Sequence, residues 1–137
     1  MINKLYPNIT FNYRFRPIRI TGPISLPELK LIIRLRPSIE LRSKRTLTAY
    51  KRYGNIKQIQ EELSKNHLKK TIIRLENNYP YNLQQPLKHY IAWCKGYTWK
   101  EIEEHKELPF INNAKLYWIN TSNQRSITTI PHYHLIY

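Results

Sequence analysis

The chain opens with an alternating pattern. Residues 8–20 (NITFNYRFRPIRI) switch between apolar and polar side chains at every step, which is the period of a half-buried strand. The aromatic face of this pattern consists of Phe11, Tyr13 and Phe15. Because Pro17 lacks a backbone donor, the pattern predicts an edge strand or an extended arm. We therefore treat residues 1–24 as a basic extended N-terminal arm.

Helical patterns follow. Ser25 precedes an amphipathic stretch over 26–36, where it is suited to cap the helix, and Pro37 ends that stretch. A second helix is predicted over about 44–53, closed by a Gly-Asn stop signal. A third is predicted over about 56–66, with isoleucine and leucine at helical spacing.

The second half of the chain is dominated by short strands. β-Branched and aromatic residues are concentrated in four runs, at residues 70–75, 88–94, 115–120 and 132–137. A capping-box pattern from Thr98 introduces a short helix between the second and third runs. Helices followed by a meander of strands predict an α+β fold, with one domain over 25–137 and a small, mostly antiparallel sheet.

Charge narrows the choice of partner. The chain has 23 Lys or Arg and 9 acidic residues, a net charge of +14, and residues 1–76 hold 17 of the basic residues against 5 acidic ones. A charge confined to one half creates a directed surface field. We expect a non-enzymatic protein whose N-terminal half binds nucleic acid or another polyanion, such as an acidic protein surface. The predicted binding residues are Arg34, Arg36, Arg42, Lys44, Arg45, Lys51 and Arg52.

A second hypothesis remains open for the basic half. The competing interpretation is a structural subunit of a large assembly, such as a virion or nucleoprotein particle, tethered by residues 1–24. Tyr50 and Tyr53 lie within the basic stretch and could stack on bases, but their spacing of three favours a core role. No zinc-ligand spacing, aromatic ribonucleoprotein motif or Gly-x-x-Gly clamp identifies a known nucleic-acid module.

The sequence also indicates the cellular compartment of the protein. Cys94 is the sole cysteine, which is typical of a reducing compartment and excludes an internal disulfide. The start of the chain has no apolar signal region, and no eighteen-residue apolar window is present. We expect an intracellular protein, in cytoplasm, nucleus or a particle assembled there, that is neither secreted nor membrane-bound.

A series of short motifs stands in a fixed order over residues 26–137. The motif residues are Leu41, Arg42, Ser43, Tyr50, Tyr53, Gly54, Asn77, Pro80, Tyr81, His89, Trp93, Trp118, Asn120, Ser126, His132 and His134. In this order the residues resemble the fungal N-acetylglucosamine-induced protein 1 family, a domain of unknown function. The chain differs in a shorter linker before Tyr-Gly, a compact helix between strands and an added basic arm. The resemblance implies a shared α+β fold and no particular activity or cofactor.

The C-terminal histidines are the one cluster of side chains that could bind a ligand or take part in a reaction. His132 and His134 are two apart on a predicted strand, so their side chains share a face, and His89 is the candidate third member. Such a set could form a pocket for a phosphate-bearing ligand or a hydrolytic site; its further candidate residues are Trp93, Trp118, Asn120 and Ser126. The alternative is that the histidines are core residues bonded to backbone and packed on Trp118.

Catalysis at this cluster is not expected. The run from Asn120 is similar to the end of histidine-triad nucleotide hydrolases, but Ile136 stands at the third histidine position. The sequence contains no Asp, which most Mg²⁺ sites use, and its three glycines form no phosphate-binding loop. We therefore predict no metal, no cofactor and no committed catalytic residue.

Overall fold

The structure, a computed structural model, describes residues 2–54, 70–104, 111–122 and 130–137. These residues form an α+β fold, as the sequence predicts, with two antiparallel sheets where one is expected. The predicted helix over 56–66 and the candidate pocket residue Ser126 lie outside the described residues. No helix within the described ranges is long and apolar enough to cross a membrane.

The N-terminal segment is a hairpin, which corrects the prediction of one strand or an extended arm over residues 8–20. After a short helix α1 (Ile2–Leu5), strand β1 (Ile9–Phe11) pairs antiparallel with β2 (Pro17–Ile20). The chain reverses because the Asn12 side chain accepts the backbone N–H groups two and four residues on, at 2.9 and 3.0 Å. Tyr13 and Phe15 are therefore in an exposed turn instead of on a buried strand face.

Two helices connect the hairpin to the main sheet. Helix α2 (Leu26–Leu35) begins with the capping box that Ser25 forms with Glu28, and ends at Arg36 in the left-handed conformation. Its Leu29 and Ile32 are buried. Helix α3 (Lys44–Tyr53) begins at Ser43, whose hydroxyl accepts from the Thr46 N–H. In contrast to α2, no residue of α3 is fully buried.

The main sheet is not the expected meander. Its strands are β3 (Thr71–Glu76), β4 (His89–Lys95), β5 (Leu116–Trp118) and β6 (His132–Ile136), in the spatial order β3-β4-β6-β5, all antiparallel. The C-terminal strand thus lies between β4 and β5. All five β6 residues are buried, so the strand needs partners on both edges and cover on both faces.

Each face of this sheet covers its own core. One face packs on α2 and the hairpin, through Ile136 and Trp118 against Leu29 and Ile9. The opposite face packs on helix α4 (Trp99–Glu104) and a 3₁₀ turn (Ile111–Asn113). The predicted capping box opens α4, since Thr98 and Glu101 exchange hydrogen bonds of 3.1 Å. Cys94 lies in this second core, where burial raises the pKa of its thiol to about 12.

Candidate functional site

Antiparallel pairing of β4 with β6 brings two of the three predicted histidines together. The register sets His89 opposite Ile136, so its ring reaches diagonally to His134, with 2.9 Å between His89 Nε2 and His134 Nδ1. Both side chains are at least 95% buried. His134 stacks on Trp118 from the neighbouring strand, with ring centroids 5.0 Å apart and planes 10° from parallel. Contact between the two imidazoles is thus a consequence of the sheet order.

A chain of hydrogen bonds runs through these two rings. The backbone N–H of Tyr81 donates to His89 Nδ1 at 3.2 Å. At the other end, Asn120 Nδ2 lies 3.2 Å from His134 Nε2, while Trp118 Nε1–H donates to Asn120 Oδ1 at 3.0 Å. The Tyr81 side chain closes the group, hydrogen-bonded to Asn120 and packed on His89 with centroids 4.4 Å apart. Five side chains from three strands and two loops therefore form one buried network.

The donors at the ends of the chain fix the tautomers. Because the Tyr81 N–H occupies Nδ1 of His89, neutral His89 carries its hydrogen on Nε2 and donates to His134. Neutral His134 then carries its hydrogen on Nε2, where it meets the Asn120 amide nitrogen, also a donor. This chain of hydrogen bonds, from the Tyr81 N–H to the Asn120 amide, therefore contains one N–H hydrogen more than it has acceptors. Neither imidazole has a lone pair left for a further proton.

The electrostatic environment also opposes protonation of both imidazoles. Burial, and next the nearby Arg42 cation, lower the pKa of His89 to about 3. Burial lowers the pKa of His134 well below its usual 6.5, and electrostatic repulsion from His89, His132 and Arg42 opposes a proton on this ring as well. Both rings are neutral at physiological pH. A neutral ring with every nitrogen engaged is poorly suited to general acid or base catalysis.

His132 lies beside this network, and its ring meets that of His134 edge-on with centroids 5.5 Å apart. Its Nδ1 lies 2.8 Å from the Ile130 carbonyl oxygen, and its ring packs against Trp93 and Trp99 with centroids 4.8 and 5.3 Å away. It is 6% exposed. Among the described residues, no three His, Cys, Asp or Glu side chains are grouped as metal ligands would be. The three histidines are therefore neighbours in the core, and the 2.9 Å contact between ring nitrogens joins His89 to His134.

A cavity of about 230 Å³ borders the network on one side. Of the three histidines, His89 alone lines it, together with Tyr81 and polar side chains that include Ser43, Asn77 and Lys88. Trp93, Trp118 and Asn120 do not reach it. This cavity lies beside the start of α3, and the pocket predicted at the C-terminal cluster, which includes Ser126, stays a prediction.

The predicted basic residues separate into two groups. Arg42 is a structural residue: it donates to the Tyr79 carbonyl oxygen at 2.9 Å, pairs with Glu40 at 3.3 Å and lies over the Tyr50 ring. Arg36, the C-cap of α2, is half-buried. The others are exposed: Arg34, Lys44, Arg45, Lys51 and Arg52.

The two candidate stacking tyrosines also separate. Tyr50 is half-buried and packs edge-on against Tyr79 with centroids 5.4 Å apart, as a core residue would. Tyr53 is 62% exposed beside Arg52, so the core role expected for it is wrong. The difference arises because α3 lies on the surface with a single partly covered side.

Comparison with known proteins establishes the fold alone. The chain is similar to a solved structure described as "Crystal Structure of HTC1", with a TM-score of 0.56 and 16% identity over 82% of this chain and 83% of that one. No protein-family model and no curated protein matches the chain. The resemblance to the fungal N-acetylglucosamine-induced protein 1 family stays a prediction. Seven of the residues that carry it meet around the buried network: Arg42, Tyr50, Tyr81, His89, Trp118, Asn120 and His134.

Sequence reasoning missed two features. Tyr81 is predicted only as one of the residues that carry the family resemblance, whereas in the structure it lies near three other rings and bonds to Asn120. The exposed hairpin tip around Tyr13 and Phe15 was interpreted as a strand face. A signal for the tip exists in the sequence, since Asn12 begins a run that lacks a buried aliphatic residue until β2.

Proposed function

We propose that this protein is a non-enzymatic nucleic-acid-binding protein that contacts the phosphate backbone with exposed cations of its N-terminal half. One observation carries the proposal. Residues 1–54 contain twelve Lys or Arg and two Glu, and ten of those cations are exposed. The exposed ten are Lys4, Arg14, Arg16, Arg19, Lys30, Arg34, Lys44, Arg45, Lys51 and Arg52.

The two carboxylates of this half do not neutralise that charge. Glu28 is fully buried and accepts from the backbone of Asn8 and Ser25 and from the Asn8 side chain. Glu40 pairs with Arg42, which is half-buried. Within the described residues, the exposed cations of residues 1–54 therefore have no carboxylate partner. A folded domain with this much uncompensated charge is matched best by a long polyanion.

Helix α3 supports the same conclusion. Its first turn carries Lys44 and Arg45 and no acidic residue. Cations at a helix N-terminus face the positive end of the helix dipole and cost about 0.3–1 kcal/mol each. Residues that reduce stability are typical of binding sites, where function competes with folding. A merely solvated face would have no reason to keep both cations there.

The proposal is tested by the salt dependence of binding. Affinity for a fluorescein-labelled oligothymidylate is measured by anisotropy over a series of salt concentrations. Each phosphate contact contributes about 0.7 to the log–log slope for a single strand, so removing three contacts should reduce the slope by about 2. The test variant combines Arg34→Gln, Arg45→Gln and Lys51→Gln.

A matched control removes the same charge from the other half of the chain, at exposed lysines of the sheet region. It combines Lys88→Gln, Lys100→Gln and Lys115→Gln. We expect the control to keep the parent's slope within a few tenths. Equal losses in both variants would mean that total charge, not the N-terminal half, drives association. Absence of binding by the parent near physiological salt would reject the function.

An active site at the C-terminal histidines is the weaker alternative. His89 and His134 use their ring nitrogens within the protein, and His132 packs between two tryptophans. The assembly-subunit hypothesis is compatible with the same basic surface. It predicts that the bound nucleic acid is one component of a particle. The oligonucleotide experiment measures the affinity for nucleic acid and does not detect such a particle.

A further inference from the structure

The tip of the N-terminal hairpin exposes two aromatic rings that the fold does not require. Tyr13 is 83% exposed and Phe15 is 68% exposed. Both lie in the turn between β1 and β2, flanked by the exposed side chains of Arg14 and Arg16. Isolated exposed apolar side chains are common, but two exposed aromatic residues two positions apart on one turn are a more specific feature.

The backbone makes Phe15 unusual. The Phe15 N–H donates to the Asn12 carbonyl oxygen at 2.9 Å, and Phe15 itself has φ of 59°, the left-handed region. In this type of hairpin the position after the turn normally takes glycine, because a side chain there is strained. Phe15 remains 68% exposed, so burial does little to offset this strain. Neither local conformation nor packing explains a phenylalanine here.

The base of the hairpin is anchored, so the tip is held in a fixed position. The backbone N–H of Asn8 donates to Glu28 on α2 at 2.8 Å, and the Asn8 side chain adds a bond of 3.2 Å. Ile9 is buried in the core, and Phe11 packs against Tyr6 with centroids 6.2 Å apart. The Thr21 N–H donates to the Asn8 carbonyl oxygen at 2.8 Å. A rigid support lowers the entropy lost when the tip binds.

The tip is also internally organised. The Asn12 side chain accepts the N–H groups of Arg14 and Arg16, which holds the turn closed. The Arg14 guanidinium lies over the Tyr13 ring, 5.3 Å from its centroid. Aromatic faces and guanidinium groups thus alternate along the turn. This arrangement matches single-stranded nucleic acid, in which bases offer flat faces and phosphates offer negative charge at regular intervals.

We infer that the hairpin tip, residues 12–16, is a base-stacking site for single-stranded RNA or DNA, with Tyr13 and Phe15 under the bases and Arg14 and Arg16 on the phosphates. This inference rests on the proposed function, because it assumes that the basic half binds nucleic acid. It adds a preference: the tip selects unpaired strands, since bases in a duplex are stacked on one another and their faces are unavailable. The remaining exposed cations of residues 1–54 contact the phosphates of single strands and duplexes alike.

The decisive variant is Phe15→Gly. Because glycine is suited to the left-handed position, the hairpin should keep or gain thermal stability while the ring is lost. Binding to labelled oligothymidylate should weaken about tenfold, and the slope of affinity against salt should stay the same. Binding to the same strand annealed to oligoadenylate should change by less than about twofold. Tyr13→Ala should behave alike, and Tyr13→Phe should bind as the parent does.

The matched control is Tyr117→Ala, which removes a ring that is 47% exposed on β5. It should leave the affinity for the single strand unchanged. If Phe15→Gly and Tyr13→Ala bind the single strand as tightly as the parent, the tip inference is rejected while the proposed function stands. If the parent binds neither strand nor duplex, the proposed function itself fails.

A membrane is the competing partner for aromatic and basic residues on one turn. Vesicles containing anionic phospholipid are therefore a second arm of the experiment. Vesicle binding that is lost in Phe15→Gly, combined with unchanged oligothymidylate binding, would overturn the inference in favour of an anionic lipid surface. An equal loss of single-strand and duplex affinity in Phe15→Gly would overturn the preference for unpaired bases.

Discussion

Residues 2–54 and the four-stranded sheet handle their polar side chains in opposite ways. In the first region, ten cations are exposed. Of its two carboxylates, Glu28 accepts a hydrogen bond from the hairpin backbone and Glu40 pairs with Arg42. In the sheet, His89, Asn120 and His134 are turned inward, with 2.9 Å between the two imidazoles and 3.2 Å between His134 and Asn120. Chemistry in a protein needs groups that can reach a partner, so the inward network stabilises the fold and the exposed cations are available for binding.

The comparison also separates two meanings of an unusual residue. Cationic Lys44 at a helix N-terminus and Phe15 at a glycine position both act against local stability and both face solvent. His134 is unusual for its burial, yet it stacks on Trp118 and each ring nitrogen has a neighbour. An unfavourable residue at the surface suggests a partner, whereas a buried ring enclosed by close neighbours suggests packing.

The largest effect is expected from deleting the buried ring. His134→Ala should lower the free energy of unfolding by about 3 kcal/mol, because it leaves a cavity against Trp118 and an unpaired donor on His89. Urea melts measure this change. The control Tyr117→Ala, on an exposed position of β5, should stay within about 0.5 kcal/mol of the parent.

The pocket hypothesis makes the opposite prediction for the same variant. If His134 binds a phosphate-bearing ligand, His134→Ala should keep its stability and lose a thermal shift that nucleotides produce in the parent. If the network is structural, folded His134→Ala protein should bind oligothymidylate as the parent does. A stable variant with a lost ligand shift would therefore reverse the comparison between the two regions.

The second effect is a dependence of stability on pH. Unfolded histidine takes up a proton near pH 6.5, whereas the pKa of folded His89 is lowered to about 3, so the unfolded state binds more protons between these values. Stability is therefore complete above about pH 6.5 and falls as the pH drops toward 3. His89 alone should contribute about 1.4 kcal/mol per pH unit in this window, and His134 acts in the same direction.

Asn120→Asp sharpens this test. A carboxylate 3.2 Å from His134 Nε2 would accept its hydrogen and would attract a second proton to the ring, so the pKa of His134 should rise. Denaturation between pH 5 and 6.5 should then show a flatter dependence than in the parent, by up to about one proton. An unchanged slope would mean that His134 is not the group that resists protonation.

The smallest effect separates the two ends of α3. Lys44→Gln with Arg45→Gln removes cations from the N-terminal turn, so unfolding free energy should rise by about 0.3–1 kcal/mol per residue. Lys51→Gln with Arg52→Gln removes cations from the last turn and should lower it by a similar amount. Both pairs should weaken oligothymidylate binding to the same extent. Binding that follows stability instead of charge would argue against direct phosphate contact.

Local patterns were enough to predict most elements. The Ser25 capping box, the stop at Gly54 and the Thr98 cap are read from neighbouring residues, and each has the predicted hydrogen bonds. The four strand runs are confirmed as β3 to β6. The charge asymmetry and the absence of Asp likewise follow from the sequence alone, because they are sums over residues.

Tertiary structure decided what these elements do together. Insertion of β6 between β4 and β5 joins His89 to His134, and no local pattern specifies which strands pair. The fold also uses Arg42 as a packing residue and leaves Arg45 in solvent, although the two are alike in sequence. The alternating aromatic segment forms a hairpin tip because the Asn12 side chain closes the turn. The base of the hairpin is held because Asn8 bonds to Glu28, twenty residues away. The sequence thus determined composition and local structure, whereas burial and long-range pairing depend on contacts that form only when the whole chain folds.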